Sequence, residues 1–132
     1  MRKYKKWIIA GILAVLAAAV CTGLYVRKVQ RENKSYSLIY IPKVVDGTND
    51  FWTSLILGTE MAAKEYRADI EIMAPEDEND VEGQNRLLEE AIEKKPDAIL
   101  FSPSSFTESD SLLKNAKDKG IHIVFVDSYT DQ

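Results

Sequence analysis

The chain has 132 residues, 45% hydrophobic and 29% charged, with 17 basic against 21 acidic side chains and a net charge of −4. That length holds one small domain rather than two. A single Cys and a single His exclude an internal disulfide, a Cys/His zinc site and a four-cysteine cluster; a metal held by carboxylates alone stays open but has no motif, and no metal or cofactor is expected.

The net charge conceals a split. Residues 1–34 carry eight Lys/Arg and one acid, Glu32, whereas residues 35–132 carry nine Lys/Arg against twenty Asp/Glu. The first part is strongly basic and the second strongly acidic. Phosphate contacts need clustered Lys/Arg, so the acidic body is a poor polyanion binder and no nucleic-acid partner is expected.

Residues 1–6 form a basic segment expected to stay cytoplasmic. The run WIIAGILAVLAAAVCTGLYV, residues 7–26, is uncharged and is closed by Arg27 and Lys28. As a helix rising 1.5 Å per residue it would cross a hydrocarbon core of ~30 Å. Trp7 and Tyr25 stand at its two ends, where amphipathic rings favour the membrane interface. It reads as a transmembrane signal anchor, with two competing fates. One is cleavage as a signal peptide at Ala17, Ala18 and Ala19; the other is acylation of Cys21, which has Val20 rather than a small residue before it. A processed end would leave the soluble part secreted or lipid-held. Residues 27–36 read as a linker, and residues 37–132 as the folded, extracytoplasmic part.

That part alternates short apolar runs with amphipathic stretches. Leu38 to Ile41 reads as a strand stopped by Pro42. Trp52, Leu55, Ile56, Thr59, Ala62, Ala63 and Tyr66 recur at steps of three and four, one face of a helix. Ile70 to Met73 is a second strand. Gln84, Leu87, Leu88, Ala91 and Ile92 mark a second helix, begun near Asn79 or Asp80 and closed before Pro96. Ala98 to Phe101 is a third strand. Ser105 and Glu108 have capping-box spacing and are expected to start a third helix that ends at Gly120. Ile121 to Val126 is a fourth strand.

Strands separated by helices imply a parallel α/β sheet with right-handed crossovers. Strands one, three and four are nearly all apolar, whereas strand two carries Glu71, so strand two belongs at an edge and the expected order is 2-1-3-4. Ligands bind such sheets beyond the strand carboxyl ends, at the switch between strands one and three. Strand four is highly apolar, yet the sequence stops six residues beyond it. An open apolar edge is an aggregation hazard, so the expectation is a partial domain or one whose edge a partner covers.

Enzymatic readings fail on inventory. His122 lies inside a strand, no GxxxxGK[ST] or GxGxxG occurs, and Glu76 to Asp80 lacks the spacing of a calcium loop. What remains is polar and aromatic groups at strand ends. The long connection 43–50 brings Asn49, Phe51 and Trp52 to the first helix. Ser102 to Ser105 offer hydroxyls and helix amides, and the fourth strand is followed by Asp127 and Ser128. Rings cover the apolar face of a sugar while carboxylate and amide groups bond its hydroxyls, so this rim suits a small polyhydroxylated ligand.

The stretches IYIPKVVDGTNDFWTSLILGTEMAAKEY, APEDENDVEGQ, KPDAILFSPSS and GIHIVFVDS, in that order, resemble the amino-terminal lobe of type I periplasmic sugar-binding proteins, the ribose-binding-like components of ABC transporters. The resemblance implies sugar gripped by Asn49, Phe51 and Trp52 and by the carboxylate of Asp127. Ribose binders follow that carboxylate with Arg, whereas this chain has Ser128. The resemblance also implies a second lobe and hinge, without which this part is expected to bind sugar weakly or not at all, and an ABC permease as partner. A membrane-anchored sugar sensor with a signalling partner, and a fragment of a doubly wound enzyme, are the alternatives. Sugar-responsive repressors are disfavoured because an apolar segment stands where their DNA-binding helices would be.

Overall fold

The computed structural model of the chain describes residues 15–16, 18–27, 35–47, 50–105 and 107–130. Two units are distinguished, residues 1–34 and residues 35–132. In the first, residues 15–16 and 18–27 are helical and exposed, and residues 7–14 and 17 of the apolar run lie outside the described residues. Among the described residues no helix is long and apolar enough to cross a membrane.

In the second unit, strands and helices alternate as the apolar spacing requires. Strand β1, Tyr36–Ile41, is followed by helix α1, Asp50–Glu65, and strand β2, Ala68–Ile72. Helix α2, Val81–Lys94, strand β3, Ala98–Phe101, helix α3, Asp110–Asp118, and strand β4, His122–Phe125, complete the order. All pairings are parallel and the sheet order is β2-β1-β3-β4, with Leu38 opposite both Ile70 and Ala98, and Ala98 opposite His122.

The period of two along each strand separates the sheet's faces. Ile39, Ile41, Ile99 and Phe101 point toward α2 and α3, where Leu88, Ala91, Ile92, Leu113 and Ala116 close one continuous core. Each such aliphatic or aromatic side chain stabilises by about 1.5–3 kcal/mol on full burial. Exposed ion pairs contribute about 0–1 kcal/mol each, so this core dominates. On the opposite face α1 packs against β2, burying Trp52 and Ala63. Val124 of β4 is 48% exposed there.

Glu71 explains itself as an edge residue. Its carboxylate accepts from Lys94 Nζ at 2.6 Å, and Glu90 pairs with the same ammonium at 3.2 Å. The hydrogen bond to Glu71 is the main reason the Lys94 ammonium holds its proton above the usual range.

Two expectations need correction. The Ser105 hydroxyl does accept from the Glu108 amide, at 3.3 Å, but the helix starts later, at Asp110. Residues 107–109 form a separate turn, closed by Asp110 N donating to Thr107 O at 3.2 Å, which delays the helix. Strand β4 is likewise not covered on both faces: its residues alternate between exposed and half-buried because it forms an edge. Gly120 takes the left-handed conformation expected of it, φ 81°.

Candidate functional site

The carboxyl ends of the strands carry the rim. Pro42 ends β1 and turns the chain into the loop 43–47, which is tied down where Thr53 Oγ1 donates to Asp46 O at 3.2 Å. From this loop Lys43 projects toward two groups of the expected site. Its Nζ lies 3.6 Å from Asp127 Oδ2 and 6.0 Å from the centroid of the Trp52 ring, at the outer range of a cation–π contact. Lys43 therefore stands between the loop after β4 and the start of α1.

Asp127 is held on a backbone of φ 69°, the left-handed region that Asp tolerates better than most side chains. The conformation turns the chain sharply at the end of β4, and Ser128 N donates to Val126 O at 2.9 Å to close it. Ser128 Oγ donates to Pro103 O at 3.1 Å, fastening the loop after β4 to the loop after β3. Its hydroxyl proton is thus occupied, while its oxygen can still accept.

The two aromatics divide their duties. Phe51 and Trp52 meet edge to face, centroids 4.9 Å apart and planes at 82°. Phe51 is 50% exposed, whereas Trp52 is 2% exposed and packs as part of the interior. Phe51 is accordingly the more exposed ring of the rim, with Trp52 behind it. Asn49 lies outside the described residues, immediately before Asp50.

Below the rim sit Tyr40 and Gln84, to which the sequence pattern assigns no part in the site. Tyr40 is fully buried and its hydroxyl is 3.2 Å from Ser102 Oγ. Burial pushes the Tyr40 phenol above its ordinary value; the Ser102 hydrogen bond opposes this, and the negative charge of Asp127 adds to it. Gln84, also fully buried, bonds Pro42 O, Ser102 O and Ser104 N. Gln84 could have been found as the polar member of an otherwise apolar helical stripe, because a buried amide needs partners. Lys43 leaves no such signal, since a single Lys after a strand is common.

A parallel sheet with side chains from three loops on one rim, a carboxylate, an ammonium and an aromatic pair among them, defines a ligand-binding lobe of the doubly wound type. Residues 40–132 match the family model described as periplasmic binding protein domain. The chain belongs to that family, one of binding proteins rather than enzymes. It is 31% identical over 84 residues to the D-allose-binding periplasmic protein of Escherichia coli (strain K12), covering 64% of this chain and 27% of that protein.

Solved structures agree. A sugar transporter from Clostridium phytofermentans shares 46% identity with a TM-score of 0.72, covering 74% of this chain and 36% of that one. A periplasmic solute-binding protein of an ABC transporter from Actinobacillus succinogenes 130z, with bound D-allose, shares 27% identity with a TM-score of 0.70, covering 75% and 34%. The chain thus spans about a quarter to a third of the length of these relatives.

Proposed function

We propose that this chain supplies one wall of an extracytoplasmic sugar-binding site, as the amino-terminal lobe of a substrate-binding component for ABC-type uptake. The observation that carries the reading is the position of Lys43, within 3.6 Å of Asp127 and 6.0 Å of the Trp52 ring. It draws the ends of β1 and β4 and the start of α1 into one patch. The relatives named for D-allose support a monosaccharide as ligand.

Recognition works by division of labour. Phe51 covers the apolar C–H face of the sugar ring, backed by Trp52. Asp127 accepts from hydroxyls and Lys43 donates to them, and hydrogen bonds to charged groups contribute ~1.5–3 kcal/mol each. Asn49, next to the start of α1, adds an amide, and the Ser128 oxygen an acceptor. The Lys43–Asp127 pair is partly exposed and contributes only about 0–1 kcal/mol, so a ligand can part it at little cost. A facing lobe would complete the enclosure by hinge closure, and a permease would read the closed state. Residues 7–26 serve as the membrane segment, with residues 1–6 cytoplasmic, residues 27–36 as linker and residues 37–132 outside.

The test is titration of the full chain with D-allose, followed by nuclear magnetic resonance. Because one wall makes only part of the contacts, weak shifts confined to residues 43–52 and 127–128 at high D-allose concentration are expected, and shifts scattered elsewhere overturn the reading. Intact mass of the membrane fraction decides the amino terminus: a chain retaining residues 7–26 is an anchored receptor, uptake or sensory, and a chain beginning near Val20 or Cys21 is a processed component.

A further inference from the structure

In the stripe Gln84, Leu88, Ala91, Ile92 of α2, three members are apolar core, and Gln84 is buried as completely as they are. An amide placed so deep must satisfy both donor and acceptor groups within the protein. All the bonds it makes lead to the rim. Nε2 donates to Pro42 O at 3.2 Å and to Ser102 O at 2.9 Å, and Oε1 accepts from Ser104 N at 2.9 Å. Pro42 immediately precedes Lys43, and Ser102 immediately precedes Pro103, whose carbonyl holds Ser128.

The helix is fixed in phase to present this side chain. Asp80 caps it, Oδ1 accepting from Gly83 N at 2.8 Å, and Gln84 N donates to Asp80 O at 2.9 Å. The next residue extends the same linkage: Asn85 Oδ1 accepts from Ser109 Oγ at 2.7 Å, securing the far end of the connection between β3 and α3.

We infer that Gln84 is a positioning residue of the sugar site, a bracket that sets the distance between the loop after β1 and the loop after β3. The ligand part of this inference rests on the sugar-site reading above; the bracket itself does not. The roles of Gln cannot be redistributed. Met fills the volume and makes none of the bonds; Glu keeps an acceptor for Ser104 N but donates at most one bond, and only when protonated, so at least one of the carbonyls of Pro42 and Ser102 loses this donor.

The experiment uses the full chain with Gln84→Met, Gln84→Glu and, as a control, Leu88→Ala, which weakens the same helix without touching the bracket. Amide hydrogen exchange and D-allose titration are measured on each. Gln84→Met should accelerate exchange at Ser104 and in residues 43–47 and weaken D-allose binding about tenfold, because a site held less rigidly must be ordered on binding. Leu88→Ala should loosen the core amides yet leave the affinity of the folded molecules unchanged. Gln84→Glu should protect Ser104 while loosening residues 43–47, and it decides the matter if Gln84→Met does not fold.

Equal exchange in the rim loops of Gln84→Met and Leu88→Ala, or equal losses of affinity, would show Gln84 to be core filling and overturn the inference. D-allose shifts scattered outside residues 43–52 and 127–128 in the unsubstituted chain would end the sugar reading, and the exchange at Ser104 would still decide the bracket.

Discussion

Lys43 and Asp127 leave strands that are not neighbours, β3 lying between β1 and β4, yet Nζ and Oδ2 approach to 3.6 Å. The meeting requires Lys43 to lean across the end of β3 and Asp127 to adopt φ 69°. It joins side chains of the loops after β1 and β4 directly across the rim. Removing the charge with Lys43→Met, which keeps the stem, should change folding stability by less than about 1 kcal/mol. It should weaken D-allose affinity about tenfold, the equivalent of ~1.4 kcal/mol. Denaturant midpoints and calorimetric titration read the two effects separately; a large fall in stability with unchanged affinity would make the pair structural.

The left-handed backbone of Asp127 sets up a second, opposed pair of effects. Glycine occupies that region freely, whereas other residues pay a steric cost of roughly 1–2 kcal/mol that Asp partly avoids. Asp127→Gly is therefore expected to leave stability unchanged within about 1 kcal/mol while abolishing measurable sugar binding. Asp127→Asn keeps the backbone and an acceptor but not the charge, and should bind with intermediate affinity. If Asp127→Gly binds D-allose as the parent does, the carboxylate is not a ligand group.

Phe51 and Trp52 should separate in the same two measurements. Trp52 is 2% exposed, and truncating a buried aromatic ring costs about 3–5 kcal/mol, so Trp52→Ala should be severely destabilised. Phe51 is 50% exposed, and Phe51→Ala should lose little stability and most of its ring contact with sugar. A Phe51→Ala protein with undiminished affinity would place the ligand elsewhere on the rim.

The hydroxyl of Tyr40 supplies a pH dependence. Burial raises its pKa above 10.0, so the folded protein holds the phenol proton more tightly than the unfolded chain does. The resulting stabilisation is complete below pH 10.0 and is lost as pH rises through the raised folded value. Denaturant midpoints of the parent should therefore fall more steeply than those of Tyr40→Phe on the alkaline side. Below that range Tyr40→Phe should be weaker by about 1 kcal/mol, since Ser102 Oγ loses its partner. Parallel alkaline curves would show that Tyr40 ionises without hindrance.

Sheet order was legible in the sequence because one charge, Glu71, marks β2 as an edge and because parallel strands buried on both faces are continuously apolar. The same order puts β4 at the open edge, as expected, but its apolar run gave no sign that Val124 would stay half exposed on one face. Periodicity located α1 but not its depth: Ala62 and Tyr66 belong to the stripe and are exposed, because α1 packs chiefly against β2. For the rim, residue type indicates which side chains suit a sugar. The helical stripe, which includes Trp52 and omits Phe51, separates the interior ring from the exposed one, since adjacent helical residues differ by 100° of rotation. Lys43 was invisible, its role arising only from contacts across three loops.

Gly83 offers a last test, one in which helix propensity and local geometry oppose each other. Replacing Gly by Ala inside a helix ordinarily stabilises by about 1 kcal/mol. Here a Cβ would run into the carboxylate of Asp80, which accepts from Gly83 N at 2.8 Å. The carboxylate can rotate away, but it then abandons the cap, and losing an Asp cap costs about 0.5–2 kcal/mol. Gly83 is moreover buried, so the added methyl has little room, and the net effect of Gly83→Ala should be a loss of about 1 kcal/mol. In an Asp80→Ala background the obstacle is gone, and Gly83→Ala should become neutral or stabilising. Thermal unfolding of both single variants and the double variant measures that change of sign, and simple additivity would refute the proposed conflict between methyl and cap.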